Sequence, residues 1–275
     1  MLQTRGADAI SGRRACKMSI VDGLRSVPGG VTGGLVEDFE VGFVTAAGLE
    51  CRAGLSAIMG TRFEECLPVR RFPSYKGRRH NAGRWWSATM GRHVGHESWL
   101  ERDHLMLLDF DAVVTGISSQ PLWLFWTQDG GAVRSHAPDY FARLADGSAV
   151  VVDCRPLERI TPRDAAKFDA TAQACELLGW QYRVVGALAR LQVGNVRWLA
   201  GYRHPRHDLP PVAAALRAVF TEAGPLLDGA EAVGDPLAVL PVLFHLLWRH
   251  VLVTDLTVPL GEDAIVSLPS AGGAS

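Results

Sequence analysis

Two acidic positions stand at the ends of segments that have the pattern of neighbouring strands. Asp139 follows a proline and precedes the apolar segment 140–144, and Asp153 follows the apolar segment 149–152. The turn between these segments contains Asp146-Gly147, a pair that is typical of a tight β-hairpin. A hairpin would bring Asp139 and Asp153 close together, and adjacent carboxylates repel unless a cation neutralises them. A hard divalent ion such as Mg²⁺ favours such oxygen ligands.

The order of the residues around this hairpin resembles a known nuclease motif. Pro138-Asp139, a spacer and then Asp153-x-Arg155 resemble the PD-(D/E)xK signature of restriction-endonuclease-like nucleases. Four blocks in chain order make the resemblance more specific. They are Glu97-Ser98-Trp99-Leu100-Glu101, Leu108-Asp109-Phe110-Asp111, Ser119-Gln120-Pro121-Leu122 and Pro138-Asp139-Tyr140. Together they are similar to TnsA, the endonuclease subunit of heteromeric transposases, over roughly residues 39–185.

This resemblance implies an α/β fold with a restriction-endonuclease-like core, in which helices flank a mixed β-sheet. It implies metal-dependent hydrolysis of DNA phosphodiesters at the 5′ ends of a mobile element, with Mg²⁺ as the cofactor and Mn²⁺ as a substitute. The implied metal ligands are Glu101, Asp139 and Asp153, with the backbone carbonyl of Cys154, all sharing one cavity. The implied partners are double-stranded DNA, a DDE-type transposase subunit that cuts and joins the 3′ ends, and an AAA+ ATPase regulator.

Arg155 stands where the family usually has lysine. Arginine stays protonated, so Arg155 cannot act as a base, although it can bind a phosphate in bidentate fashion and stabilise developing negative charge. The resemblance therefore implies a catalytic role for Arg155 that is electrostatic. Lys167, on the next predicted helix, is a candidate for a displaced lysine, and an exposed helix charge is the commoner interpretation.

Three further polar residues near the motif have local interpretations as well as functional ones. Ser98-x-x-Glu101 is a capping-box pattern, so Glu101 can cap a helix, whereas the resemblance places it in the site with Glu97 in reserve. Gln120 belongs to a matched block and is assigned to the wall of the site. His136 lies three residues before Asp139, so alternation predicts a packed or hydrogen-bonded side chain on the opposite face.

A basic stretch precedes the first predicted helix and contains aromatic residues but no acidic ones. Its cations are Arg70, Arg71, Lys76, Arg78, Arg79 and Arg84, followed by Arg92. Cations interleaved with aromatic residues are typical of a surface that binds a phosphate backbone. The alternative is a solvated hairpin whose Trp85 and Trp86 pack into the core, and the two interpretations are compatible because a strand has two faces.

The predicted secondary structure alternates between strands and helices. We expect a strand over 39–44, a helix over 98–110, one or two strands over 113–126, and an acidic hairpin formed by 133–144 and 149–155. A helix over 162–178 and a strand over 181–185 would complete a βαβ unit, which predicts a mixed sheet. Further helices are expected over 195–202, 212–222 and 237–250, and the segments 251–253 and 264–268 are expected to pair.

These elements divide the chain into three predicted parts. They are a flexible leader over 1–36, a nuclease domain over 37–203, and a linker followed by a winged-helix-like or helical partner-binding region over 204–275. The net charge of −1 means that DNA contacts must come from local patches. The five scattered cysteines favour a reducing cytoplasm, and the apolar segment 237–248 is too short to span a bilayer. Together with the resemblance, this implies a bacterial cytoplasmic protein that associates with the nucleoid when bound to DNA.

Two other functions are compatible with the same residues. Arg155 favours a catalytically degenerate subunit that keeps the nuclease fold and binds DNA or a partner. A stand-alone defence or repair nuclease would cleave DNA without a partner.

Overall fold

The computed structural model describes residues 39–70, 82–128 and 131–270 of the 275-residue chain. The predicted leader lies outside the described residues. Four of the predicted DNA-binding cations also lie outside them, namely Arg71, Lys76, Arg78 and Arg79.

The described chain forms an α/β fold in which helices flank mixed and antiparallel sheets. The strands are β1 (Phe39–Val44), β2 (Glu50–Gly54), β3 (Gly83–Ser87), β4 (Arg92–His96), β5 (Val114–Ser119), β6 (Leu122–Thr127), β7 (Val133–His136), β8 (Tyr140–Leu144), β9 (Ala149–Cys154), β10 (Gln181–Val185), β11 (Gly224–Pro225), β12 (Val253–Thr254) and β13 (Ile265–Ser267). The helices are α1 (Trp99–Phe110), α2 (Pro162–Leu177), α3 (Arg190–Ala200), α4 (Pro210–Val219), α5 (Leu226–Glu231) and α6 (Pro236–Trp248). Four short 3₁₀ helices lie between them, over 55–58, 63–65, 157–159 and 205–207.

A mixed sheet with the strand order β10-β9-β8-β5 carries the predicted acidic hairpin. β8 and β9 are antiparallel, and the turn between them contains Gly147 at φ +86°, a conformation that glycine adopts without strain. β9 and β10 are parallel and are joined through α2, which confirms the predicted βαβ unit and the mixed sheet. The apolar run 149–152 is buried on both faces, as the sequence predicts.

The first strand of that hairpin is shorter than predicted. Residues 133–144 form two strands rather than one, because Pro138 has no N–H to donate to a strand ladder. β7 pairs with β6 and belongs to a second sheet, of order β2-β1-β6-β7, in which every pairing is antiparallel. The segment 113–126 likewise divides at Gln120-Pro121, so β5 joins the mixed sheet and β6 joins the antiparallel one.

Each face of the mixed sheet has its own core. On one face, Leu105 and Leu108 of α1 pack against Val150 and Val152 of β9. On the other face, side chains of α2 and of the antiparallel sheet pack against Val151 and its neighbours. Alternate residues of β9 therefore face α1 and α2, and this alternation determines on which side each polar residue at the end of the strand lies.

The C-terminal part of the described chain contains α4, α5, α6 and a small antiparallel sheet of order β11-β13-β12. The predicted pairing of 251–253 with 264–268 is confirmed as β12 with β13. α3 begins at Arg190, five residues earlier than predicted. Its N-cap residue, Ala189, has no side chain that could cap the helix, so the local sequence carries no signal for this start. Met106 and Leu107 of α1 share one hydrophobic core with residues of α3, α4 and α6, so this core extends across the predicted linker. None of the described helices combines the length and the apolar character needed to cross a membrane.

Candidate active site

Asp139 lies where the ends of β5, β8 and β9 meet. Its Oδ2 accepts a hydrogen bond of 2.7 Å from the backbone N–H of Cys154, and its carbonyl accepts one of 2.8 Å from Gln120 N–H. Burial raises the pKa of the Asp139 carboxyl well above its usual value, and the charges of Asp153 and Glu101 raise it further. The charges of two predicted site residues, Asp153 and Glu101, therefore act on Asp139.

Glu101 lies in the first turn of α1 and acts as a cap there. Ser98 Oγ accepts a hydrogen bond from Glu101 N–H (3.1 Å) and donates one to Glu101 Oε1 (2.9 Å), and Glu97 N–H donates to Oε2 (2.6 Å). Burial raises the pKa of the Glu101 carboxyl, while these hydrogen bonds lower it and the charge of Glu97 raises it. The local interpretation of Glu101 is confirmed, and the same carboxyl also acts electrostatically on Asp139.

Asp153 faces the opposite side of the sheet from α1. It pairs in register with Val184 of β10 and is 3% exposed. His136 Nε2 lies 3.0 and 2.9 Å from its two carboxyl oxygens, and the Tyr182 hydroxyl donates to Oδ2 at 2.6 Å. The hydrogen-bonded histidine predicted at position 136 is confirmed. Tyr182 was not predicted, because the parallel strand that brings it to Asp153 starts 27 residues after β9 ends.

The three carboxylates do not form one metal-binding cluster in the described chain, where no group of three or more His, Cys, Asp or Glu side chains could hold a metal ion. The reason is the alternation of β9, which turns Asp153 toward α2 while Glu101 approaches from α1. Mg²⁺ is commonly held by one or two carboxylates together with substrate phosphates rather than by a complete protein cage. Asp139 and Glu101 are half-buried carboxyls whose charges repel each other, and their chemistry fits such a cation.

Arg155 follows β9 and forms an ion pair with a helix cap. Its guanidinium donates to Asp164 Oδ2 at 3.2 Å, and Lys167 Nζ lies 3.3 Å from Asp164 Oδ1. Asp164 and Thr161 form the capping box of α2, and the hydroxyl of Thr161 is the main cause that lowers the pKa of Asp164 to about 2. Arg155 and Lys167 are therefore held together by one carboxylate on the α2 side of the sheet.

Arg70 lies at the carboxylates rather than on a separate surface. Its guanidinium donates to Glu97 Oε2 at 2.9 Å, and its charge lowers the pKa of both Glu101 and Asp139. The sequence predicts Arg70 only as one cation of the basic stretch. Its position beside Glu97, 27 residues away along the chain, becomes visible only in the fold.

Gln120 is strained and unsatisfied. It is 1% exposed and has φ +48°, and neither amide atom of its side chain has a hydrogen-bond partner among the described residues. A buried amide without partners and a non-glycine residue at positive φ each cost about 1–3 kcal/mol, and such costs cluster at functional sites. Because its backbone is bonded to that of Asp139, the sequence-predicted wall residue lies directly beside the carboxylates.

The basic stretch continues into the hairpin β3–β4. Arg84 is exposed, whereas the indole N–H of Trp85 donates to buried Asp109 at 2.9 Å, and Trp86 stacks on His204 with ring centroids 4.8 Å apart. The packing alternative is therefore confirmed for Trp85, which also packs against two hydrophobic cores. Arg84 lies on the exposed face of the same hairpin.

The chain was also compared with known proteins. No protein-family model matches it, and the comparison with curated proteins gave no match.

Proposed function

We propose that this protein is a metal-dependent DNA endonuclease subunit of a TnsA-like heteromeric transposase, which hydrolyses phosphodiesters at the 5′ ends of a mobile element. The observation that carries the proposal is Asp139, a carboxyl at the junction of three strand ends whose pKa is raised by burial and by the charges of Asp153 and Glu101. In this proposal the mixed sheet with α1 and α2 is a restriction-endonuclease-like core. The helices α4–α6 with the small sheet form a winged-helix-like region.

The proposed cofactor is Mg²⁺, with Mn²⁺ as a substitute, held by Asp139 and Glu101. Asp153 and the carbonyl of Cys154 would complete the set that the resemblance implies, after Asp153 exchanges its bonds to His136 and Tyr182. When bound, the ion supplies Lewis-acid stabilisation of the phosphoryl oxygens and acidifies a water.

The chain's own groups orient the reactants in this proposal. Cys154 N–H holds the Asp139 carboxylate in a fixed orientation through a 2.7 Å hydrogen bond. The amide of Gln120 binds a substrate oxygen or a water, which satisfies its unused donor and acceptor. Arg155 binds the scissile phosphate, and its pairing with Asp164 holds it beside the end of β9 until the phosphate arrives.

The proposed partners are double-stranded DNA, a DDE-type transposase subunit and an AAA+ ATPase regulator. The test is a nicking assay at the element's ends with the partner transposase and Mg²⁺ or Mn²⁺. We expect Asp139→Ala and Asp153→Ala to abolish nicking, Glu101→Gln to reduce it strongly, and Asp146→Ala in the exposed hairpin turn to nick like the wild type. Wild-type rates for Asp139→Ala and Asp153→Ala would show that the metal assignment is wrong.

A catalytically degenerate, DNA- or partner-binding subunit is the second candidate. It is favoured by the engagement of Asp153 with His136 and Tyr182 and by the pairing of Arg155 with Asp164. Calorimetric titration with Mn²⁺ separates the two candidates. If the protein is a degenerate subunit, the wild type should release no more heat on addition of Mn²⁺ than the Asp139→Ala variant does. Arg155→Lys adds a second criterion, because a large gain in cleavage would identify a weakened site.

A further inference from the structure

A groove of about 500 Å³ lies on the described surface between the turn of the hairpin β3–β4 and the helices α4 and α6. Its lining includes Arg203, Arg217, Arg249 and His245, and the sole acidic residue in the lining is Asp208. Arg217 and Arg249 are exposed, and neither forms an ion pair with another described residue. The groove is therefore a concave surface whose lining carries an excess of positive charge.

The charge of the C-terminal region is segregated into this groove. Residues 204–270 contain eight acidic residues but only three arginines and no lysine, so the region as a whole is acidic. Two of the three arginines, Arg217 and Arg249, line the groove, and Arg206 lies between the lining residues Pro205 and Asp208. A net acidic region that gathers its cations along one groove has the electrostatic form of a polyanion-binding site.

The wall of the groove continues toward the candidate active site. The Arg203 guanidinium stacks on Trp85 at 4.0 Å and donates to the carbonyl of Trp86 at 2.8 Å, so the groove is fixed to the hairpin. Arg84 and Trp86 alternate along β3 and share one face, on which Arg84 is exposed. On the neighbouring strand β4, Gly95 N–H donates to Ser119 Oγ, one residue before Gln120.

We propose that this groove binds the sugar–phosphate backbone of duplex DNA on the flank of the cleavage site. The inference rests on the proposed nuclease function and adds a second DNA contact, outside the carboxylate site. Exposed guanidiniums that continue from the groove onto the hairpin fit a repeating line of phosphates. An acidic peptide is the competing occupant, but it would not require the continuation to Arg84 and to β4 beside the active site.

The experiment measures the affinity of the full chain for a fluorescent duplex by anisotropy, in EDTA, from about 50 to 200 mM salt. Each lost phosphate contact is expected to reduce the slope of log K against log salt by about 0.9. Arg217→Gln and Arg249→Gln should each do so, and the double variant should lose about 1.8. Over this fourfold salt range the ratio of wild-type to double-variant affinity should fall about 12-fold. Arg134→Gln, an equally exposed arginine on β7, is the matched control and should leave the slope unchanged.

The outcomes separate the groove from the nuclease proposal. Slopes equal to that of Arg134→Gln would overturn the groove assignment, even where the wild type nicks DNA in Mg²⁺. Unchanged DNA slopes together with lost binding of a poly-glutamate peptide would overturn it in favour of an acidic protein partner. A wild type that binds no duplex would also overturn it. Reduced slopes in a protein whose wild type binds but does not nick would support the groove and contradict the nuclease proposal.

Discussion

Asp139→Asn should stabilise the metal-free protein while abolishing nicking. Asparagine is isosteric with aspartate and keeps an oxygen that can accept the 2.7 Å hydrogen bond from Cys154 N–H. It removes the charge that burial, Asp153 and Glu101 all disfavour. The substitution therefore separates two effects of the carboxylate, namely the stability that its charge removes from the folded protein and the activity that it provides in the site.

The sign of the pH dependence follows from the raised pKa of Asp139. The folded state holds the Asp139 proton more tightly than the unfolded chain, so this residue makes the wild type less stable as the pH rises from about 4 through its folded pKa. Above that pKa the penalty is constant, at about 1.4 kcal/mol for each unit by which the folded pKa exceeds the unfolded one. The advantage of Asp139→Asn should thus be absent near pH 4 and grow as the pH rises. A stabilising substitution of this kind commonly contributes about 0.5–2 kcal/mol.

Thermal unfolding in EDTA at pH values from about 4 to 8 measures this difference, and 1 kcal/mol corresponds to about 2 °C in a chain of this size. Asp164→Asn is a control of opposite sign, since the pKa of Asp164 is lowered to about 2. The ionised carboxylate of Asp164 stabilises the fold at pH values above its unfolded pKa, and this contribution disappears as the pH falls toward 2. Asp164→Asn should therefore be less stable than the wild type at neutral pH. If Asp139→Asn is as unstable as Asp164→Asn at pH 7, the electrostatic account of the site is incorrect.

Three further variants test the neighbouring groups. Tyr182→Phe removes a 2.6 Å hydrogen bond to a buried carboxylate and should reduce the free energy of unfolding by about 1.5–3 kcal/mol in denaturant titrations. Tyr140→Phe removes a 3.2 Å bond to a neutral carbonyl and should cost about half as much; equal losses would contradict a charge-assisted bond. Gln120→Gly removes a buried, unpartnered amide and relieves a positive φ, so it should unfold within about 1 kcal/mol of the wild type. It should nevertheless nick about 100-fold more slowly, and unimpaired nicking would exclude Gln120 from the site.

Features encoded by neighbouring residues could be predicted from the sequence. Ser98 and Glu101 cap α1 as their spacing indicates, and Asp146-Gly147 forms the hairpin turn. The hairpin register places Tyr140 opposite Val152, so the proximity of the two acidic positions follows from the turn. Each of these features depends on contacts within a few residues or across one tight turn.

The orientation of the acidic side chains could not be predicted in the same way. Asp153 is bonded to Tyr182 from a parallel strand and to His136 from a different sheet, and neither contact has a signature in the local sequence. The division of 133–144 at Pro138 also makes the contact of His136 with Asp153 a long-range one, because it moves His136 into the antiparallel sheet. The position of Arg70 at Glu97 is a third contact of this long-range kind.

The acidic residues of the candidate site have different environments, and this difference indicates where a cation would be stabilising. On the α2 side, Asp153 has two hydrogen-bonding partners, and Arg155 and Lys167 already have Asp164. By contrast, burial raises the pKa of the carboxyls of Asp139 and Glu101, and the side-chain amide of Gln120 has no hydrogen-bond partner among the described residues. A ligand that brings positive charge together with polar oxygens would relieve all three costs at once, and a metal-bound phosphate diester is such a ligand. The strand β4 connects Ser119, the neighbour of Gln120, to the hairpin and its basic groove, so in the proposed function one DNA duplex contacts both surfaces.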